Sequence, residues 1–331
     1  MKPERILVTG GAGYLGCRLI YDLINKFKCQ IIVYDNFSRG KLEAVGSLLD
    51  KYKYKIEIIP WEYADIRDEE NFKNALKKYK PEVVINLASI VDAFQTNREG
   101  KDRECEIVNY ESSVNIANLS NKFGVKIFIC QSSVSIYSRG EEIKEDSPTN
   151  PLSVYGLAKF KAGEEIRKLN SKNFKTCVLR SATYVGYTPG FTYQTIINLA
   201  CIRALYDIPI NIFESALDNN KTYLDVKDES AAIIFAIENI DKMQGQVFNI
   251  TSFHANLREV IRLIEEEIDR PIKKNIIKEK TINQQVYTVN SDKIKALGFK
   301  PNGRLDKIIP ETIKYLKRRM EGFKFTYDSN I

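Results

Sequence analysis

The stretch Arg5–Gly16, Arg-Ile-Leu-Val-Thr-Gly-Gly-Ala-Gly-Tyr-Leu-Gly, constrains this chain more than any other. Ile6-Leu7-Val8 is too short an apolar run for a helix and suits a strand buried on both faces. Gly10, Gly11, Gly13 and Gly16 follow. Beyond them Leu19/Leu23 and Ile20/Ile24 recur at i, i+4, the spacing of a helix with one apolar face. Glycine-rich turns without a ligand are common, so the flanking elements decide the reading. A strand, a glycine turn and a helix together make a phosphate site. The glycines allow the tight turn and close backbone approach, and the helix N-terminus offers unpaired N–H groups to a pyrophosphate. Asp35 lies 35 − 16 = 19 residues after Gly16, near the ~20 expected of an acid on the adenosine ribose. A carboxylate there accepts from a free 2′-hydroxyl and repels a 2′-phosphate, which favours NAD over NADP. Arg39 is the nearby residue that argues the other way.

The same alternation continues. Gln30–Tyr34, Lys55–Ile59, Glu82–Leu87 and Val125–Cys130 read as strands. Helical patterns separate them, one opened by Asp68-Glu69-Glu70 and one running roughly from Asp102 to Lys122. Strands separated by helices imply a parallel sheet with right-handed crossovers. After a further strand at Lys175–Arg180 the pattern loosens. Short strands are expected around Ile208–Phe213 and Thr222–Val226, and helices near Glu229–Ile240 and Asn256–Ile268. Asn256 and Glu259 have capping-box spacing. The expected fold is α/β, a Rossmann-type doubly wound parallel sheet with a smaller C-terminal α/β substrate lobe. Residues 1–180 would be the NAD-binding domain. Residues 181–331 would be mainly the substrate-binding lobe, with some segments returning to the first domain.

Composition narrows the functional classes. A net charge of +7 spread over a chain of 331 residues is modest, and basic clusters such as Lys273-Lys274 and Lys317-Arg318-Arg319 are short. These read as solvated surface and not as a nucleic-acid site. The six cysteines have no C-x-x-C spacing and several sit in apolar runs, as expected of buried thiols in a reducing compartment. No apolar run approaches the ~18 residues of a membrane span. Met1–Glu4 leads straight into a strand, so neither a span nor a signal peptide is expected, and the cytoplasm is the expected location. The single histidine, His254, reads as structural, and no Cys/His/carboxylate cluster has metal spacing.

Ser153-Val154-Tyr155-Gly156-Leu157-Ala158-Lys159 opens a helix just after Pro148–Pro151. Tyr155 and Lys159 are four apart and share one helix face. A tyrosine acting as a base at neutral pH needs its pKa lowered by about 3 units from ~10. A lysine ammonium and an oxidised, cationic nicotinamide can supply that field. The Tyr-x-x-x-Lys spacing recurs by chance in a chain with 18 tyrosines, so context matters. Ser132 and Ser133 supply it, at the carboxyl end of an apolar strand and the edge toward which the glycine turn points. Together these residues describe hydride transfer coupled to proton transfer at an alcohol.

Thr9–Gly16, Asp35-Asn36, Asp65-Ile66, Asn86-Leu87-Ala88, Ser132-Ser133-x-x-x-Tyr137 and Tyr155-x-x-x-Lys159 resemble the extended short-chain dehydrogenase/reductases. Within them the chain is similar to the NAD-dependent nucleotide-sugar epimerase/dehydratase group, in order from Ile6 to about Pro301. The resemblance implies Tyr155 as acid/base, Lys159 on the nicotinamide ribose, and Ser133 as the second hydroxyl on the reacting oxygen. It implies cofactor contacts from Gly10, Gly13, Tyr14, Leu15, Gly16, Asp35, Asn36, Arg39, Asp65, Ile66, Leu87, Ala88, Asn109 and Ser132. Substrate contacts would come from Ser133, Thr183, Asn198, Lys221 and Lys280. Dehydratases of the group carry an Asp-Glu pair after the catalytic hydroxyl residue, and this chain has Val134 and Ser135 there. Thr183 replaces the family's substrate asparagine, and Lys221 and Lys280 fall near its diphosphate arginines. Ser138 replaces a glycine. The expectation is an NAD-dependent epimerase acting on a nucleotide sugar through a transient keto sugar, as a homodimer. The alternatives are an NAD(H)-consuming sugar dehydrogenase or keto-sugar reductase, and a non-catalytic dinucleotide-fold binding protein.

Overall fold

The computed structural model describes residues 2–91, 101–138, 140–278 and 287–322. The first half contains β1 (Arg5–Thr9), α1 (Tyr14–Phe27), β2 (Gln30–Tyr34), α2 (Leu42–Tyr52), β3 (Ile56–Ile58), α3 (Glu69–Tyr79) and β4 (Val83–Asn86). It continues with α4 (Lys101–Glu106), α5 (Ser113–Lys122), β5 (Ile127–Ser133), β6 (Gly140–Ile143), α6 (Val154–Lys168) and β7 (Lys175–Ser181). The second half opens with β8 (Thr183–Val185), α7 (Ile196–Leu205), β9 (Ile210–Phe213), β10 (Lys221–Asp225), α8 (Val226–Glu238) and α9 (Ile240–Met243). Then come β11 (Gln246–Ile250), β12 (Phe253–Ala255), α10 (Leu257–Ile268), β13 (Lys274–Ile277), β14 (Tyr287–Val289), α11 (Asp292–Ala296) and α12 (Leu305–Met320).

Seven strands form one parallel sheet in the order β3-β2-β1-β4-β5-β7-β11. The strand order reverses between β1 and β4, which opens a crevice at their carboxyl ends, where such sheets bind ligands. Alternate residues face opposite layers. Ile6, Val8, Ile31 and Val33 join a core with α1 and α8, while Leu7, Ile32, Val84 and Phe128 join a second core with α3 and α5. This double burial explains the unbroken apolar runs in the sequence. Small sheets β12-β10-β8 and β13-β9 belong to the second half, with their own core of residues such as Ile197, Tyr223, Val260 and Ile309.

Three boundaries differ from expectation. β5 runs on to Ser133, so both serines lie within the strand and pair with β7. The expected helix from 102 to 122 is divided by a π-helical turn at Ile107–Ser112. α8 starts at Val226 because Asp225 caps it, accepting from Lys227 N at 2.9 Å. The Asn256 cap forms as expected, accepting from Glu259 N at 2.9 Å.

Gly10 has φ +68°, and a Cβ there would sit 2.8 Å from Ala88 N and 2.9 Å from the Leu87 carbonyl carbon. The backbones leaving β1 and β4 touch at this point. Gly10→Ala combines left-handed strain with this clash, so stability should fall by about 1–3 kcal/mol. A denaturant melt of the two proteins checks the loss.

Candidate functional site

The glycine turn is built by close backbone contact. A Cβ on Gly16 would lie 2.5 Å from the carbonyl oxygens of both Gly10 and Gly11, so α1 begins directly on the turn. Gly13 caps α1 without a side-chain bond, which leaves the first-turn N–H groups free of a side-chain cap. Leu15 points into the core. A segment of the second half lies over the turn: a Cβ on Gly190 would come within 2.6 Å of Gly13 O. Thr188 Oγ1 donates to Tyr14 O at 2.7 Å, and Tyr14 Oη donates to Gly186 O at 2.6 Å. Asn198, expected at the substrate, needs correction. It is completely buried, donates to Tyr14 Oη and Thr192 O, both at 3.1 Å, and accepts from Gly186 N at 3.2 Å. Its amide is committed to bracing the segment.

Asp35 directly follows β2, with both oxygens engaged. Oδ2 accepts from Ala12 N at 2.9 Å and Oδ1 from Phe37 N at 2.8 Å. Burial raises its pKa, partly offset by these two backbone bonds. The Ala12 bond fixes the acid to the glycine turn. Asn36 Nδ2 donates to Asp65 Oδ2 at 2.9 Å, and Arg67 grips the same carboxylate through Nε at 2.9 Å and Nη2 at 2.6 Å. Burial opposes the Asp65 charge, yet the Arg67 and Asn36 bonds outweigh it and hold the pKa down. Ile66 beside it is buried. Arg39 is exposed and reaches Val91 O at 3.0 Å.

The end of β4 is held from behind. Thr9 Oγ1 donates to Asn86 Oδ1 at 2.7 Å and accepts from Ala88 N at 3.2 Å. Asn109, fully buried in the π-turn, accepts from Ser89 Oγ at 2.7 Å and Ile90 N at 3.2 Å, and donates to Ile90 O at 2.8 Å. Such turns are frequent at functional sites, and this one positions the Leu87–Ile90 backbone.

At the end of β5, Ser133 Oγ accepts from Ser135 N at 3.1 Å and Ser135 Oγ at 2.9 Å. Ser153 caps α6, accepting from Gly156 N at 3.0 Å. A Cβ on Gly156 would lie 2.6 Å from Ser135 O, so the first turn of α6 rests on the strand end. This brings Tyr155 against Ser133 and Ser89, whose hydrogen bonds partly offset the burial that pushes its phenol up to about 12. Lys159 is 2% exposed and donates to Gln131 O at 3.2 Å, with its ammonium 5.9 Å from the Tyr155 ring centroid. Burial pushes it down to about 8. Ser132 Oγ donates to Lys159 O at 3.3 Å. Val134 is buried in a short turn after the strand and brings no carboxyl group to the site.

The expected lowering of the Tyr155 pKa is therefore not present in the protein alone. Burial favours the neutral forms of both Tyr155 and Lys159, so an acidic phenol requires a further positive charge. An absorbance titration of cofactor-free protein should show the Tyr155 phenolate, taken as wild type minus Tyr155→Phe, only near pH 12 and not near 10.

Sequence reasoning missed Ser89, Gln131, Tyr184 and Glu229. Gln131, a polar residue in an otherwise apolar strand, was the available signal; its Nε2 donates to Tyr184 Oη at 2.9 Å. Glu229 follows Lys227-Asp228 and reads as an exposed first turn, so nothing marked it. Of the expected substrate residues, Thr183 is exposed at the start of β8, and Lys221 opens β10 two residues before Tyr223, the register partner of Thr183. Lys221 is half-buried with no side-chain partner among the described residues, and burial lowers its pKa. Lys280 lies outside the described residues. His254 Nδ1 bonds Thr222 Oγ1 at 3.0 Å, and no group of three metal-ligating side chains occurs among the described residues.

A capless helix start over a glycine turn, a fixed acid at the end of β2, and a hydroxyl–tyrosine–lysine set at the end of β5 define a dinucleotide-binding enzyme of alcohol chemistry. The glycine turn, where a Cβ on Gly10 or Gly16 would strike neighbouring backbone, fits a pyrophosphate, and Asp35 fits a ribose. Residues 6–251 match the NAD dependent epimerase/dehydratase family, and the chain belongs to that family. It is 26% identical over 333 residues to a UDP-glucose 4-epimerase of Rhizobium leguminosarum bv. trifolii, covering 93% of this chain and 96% of the relative. It is 24% identical over 345 residues to a dTDP-D-glucose 4,6-dehydratase of Mus musculus, covering 97% and 91%. The structure of UDP-glucose 4-epimerase from Bifidobacterium longum, in complex with NAD+ and UDP, superposes with a TM-score of 0.85 at 21% identity, covering 96% of this chain and 100% of that one. No helix among the described residues is long and apolar enough to cross a membrane.

Proposed function

We propose that the chain is an NAD-dependent epimerase of a nucleotide-activated sugar. The observation that carries this reading is the Ser133–Tyr155–Lys159 set without an elimination acid beside it, since Val134 and Ser135 bring no carboxylate. In this reading Tyr155 takes the proton of a sugar hydroxyl and later returns it, while Ser133 hydrogen-bonds the same oxygen. Lys159 holds the cofactor ribose and supplies positive charge behind the phenol. Bound NAD supplies a hydride acceptor that can give the hydride back. Gly10–Gly16, Asp35, Asn36, Asp65 and the Leu87–Ala88 backbone would hold that cofactor, and residues up to 180 would serve it while those beyond serve mainly the sugar nucleotide. Exposed Leu152, Val154 and Leu157 at the start of α6 support pairing of two copies, and the six free, buried cysteines support a cytoplasmic location.

Purified protein should carry NAD and equilibrate UDP-glucose with its 4-epimer without net change in NADH absorbance. Stoichiometric NADH change would instead mark a dehydrogenase, and no epimer from a broad sugar-nucleotide panel would sink the proposal. Tyr155→Phe should lower turnover by about 10²–10⁴-fold, the scale of general acid–base catalysis, with NAD still bound. Lys159→Met should weaken both turnover and NAD retention.

The Lys221 ammonium, desolvated and without a counter-charge among the described residues, suits a substrate phosphate. Losing one charge-assisted hydrogen bond costs about 1.5–3 kcal/mol. Lys221→Met should therefore raise KM for a nucleotide sugar by about 10–100-fold with little change in kcat, as initial-rate measurements would reveal.

A further inference from the structure

Glu229 is an acid that the proposed chemistry does not use. It lies in the first turn of α8, fully buried, and accepts from Ser181 Oγ on Oε1 at 2.8 Å. Its second oxygen, Oε2, meets no hydrogen-bond partner of good geometry among the described residues, although the nearby Tyr184 phenol favours its charge. Ser181 is the last residue of β7 and the register partner of Ser133 on β5, so the carboxyl group sits one strand from the catalytic hydroxyl. Tyr184 links the two sides. Its phenol is pushed far up by burial, then by the nearby Glu229 charge and more weakly by Tyr155, and it accepts from Gln131, whose carbonyl holds Lys159.

The surroundings offer this acid little to pair with. On α8, Asp228 is bonded by Ser252 Oγ and the backbone N–H groups of Asn302 and Gly303, and Lys227 is paired with Glu311. At the end of β10, Asp225 is itself pushed up to about 6 by burial. α1 brings Tyr14, Cys17 and the Arg18–Asp22 pair at 2.8 Å, with Asp22 also bonded by Ser230 Oγ. β5 and β7 bring the neutral thiols Cys130 and Cys177, and on α9 Asp241 pairs with Lys175. α6 brings Tyr155 and Lys159. Burial and Asp228 raise the Glu229 pKa, the Ser181 bond and Tyr184 lower it in part, and it settles at about 8.

Resting on the proposed cofactor chemistry, we infer that Glu229 is a charge-compensating positioning residue of the catalytic centre. It stands protonated in the protein alone and releases that proton to solvent when the oxidised, cationic form of the cofactor binds. A buried carboxyl group without a counter-charge stays neutral. A cation arriving at the Ser133/Tyr155 edge supplies the missing partner and favours the carboxylate. The neutral, reduced cofactor supplies none, so the ionisation of Glu229 discriminates between the two redox forms.

Two measurements test this. The first needs no cofactor. Folded Glu229 keeps its proton up to about pH 8, whereas the unfolded group loses it near 4.5, so this residue's contribution to stability declines as pH rises through that window and is level above it. Lys159 acts in the opposite sense and above pH 8, because its folded pKa is the lower one. The melting temperature of Glu229→Gln minus that of wild type should grow from pH 5 to pH 8 and then stay flat, and Glu229→Leu should show the same trend. A gap independent of pH overturns the inference.

The second measurement is calorimetric titration with NAD+ and NADH at pH 7 in buffers of different ionisation enthalpy. Wild type should release about one proton per NAD+ and essentially none per NADH. The release should survive in Tyr155→Phe and vanish in Glu229→Gln. Release that persists in Glu229→Gln overturns the inference: its loss in Tyr155→Phe assigns the proton to the phenol, and its persistence there too assigns it to Lys159. Failure to bind NAD+ at all would instead overturn the proposed function, and the melting data would still decide whether Glu229 is protonated.

Discussion

Close backbone approach at a few glycines is the constraint on which this site depends. Gly10 brings the end of β1 against the Leu87–Ala88 backbone, Gly16 seats α1 on the turn, Gly156 seats α6 on Ser135, and Gly190 lays the second half over Gly13. A side chain at any of these joints would hold two backbones apart by more than the site tolerates. The acid of β2, the hydroxyls of β5 and the Tyr155 helix therefore reach a common edge through contacts that carry no side chain. Hydrogen bonds then lock what the glycines allow: Asp35 to Ala12, Thr9 to Ala88, and Asn109 to Ser89 and Ile90.

Burial sets the electrostatic character of the edge where Ser133 and Tyr155 meet. Tyr155, Lys159 and Glu229 are all driven toward their neutral forms, two by gaining protons at higher pH and one by losing its proton at lower pH. Near neutral pH Tyr155 and Glu229 then stand uncharged, and Lys159, pushed down to about 8, keeps the one charge among the three. In the proposed chemistry, ionising the phenol depends on the further charge that a ligand brings. Asp65 shows the contrast within the same molecule: Arg67 and Asn36 hold it ionised despite burial.

The sheet and the glycine turn were legible in the sequence because strands buried on both faces leave unbroken apolar runs, and glycine spacing records backbone contact. Ser133, Tyr155 and Lys159 were legible because one strand end and one helical turn bring them together locally. Asn198 misled because an amide in a helix gives no hint of whether it faces a ligand or, as here, Tyr14 and Gly186. Glu229 was invisible because burial in α8 is decided by contacts with α1 and the ends of β5 and β7, which lie far away in sequence. The π-turn at Ile107–Ser112 escaped because helical periodicity alone does not distinguish an i+4 from an i+5 ladder.

The packing of α8 on α1 carries a consequence for how the chain holds together. One continuous core contains Ile6 and Leu19 from the beginning of the chain and Leu224, Ile233, Ile237, Phe248, Val289 and Phe299 from beyond residue 180. β11 completes the large sheet as a neighbour of β7. The proposed division between cofactor and sugar halves is thus one of chemistry and not of folding. A fragment cut at residue 180 would leave the apolar face of α1 bare and an unpaired strand edge at β7. The two halves share one core and one sheet, so neither carries a complete hydrophobic interior of its own.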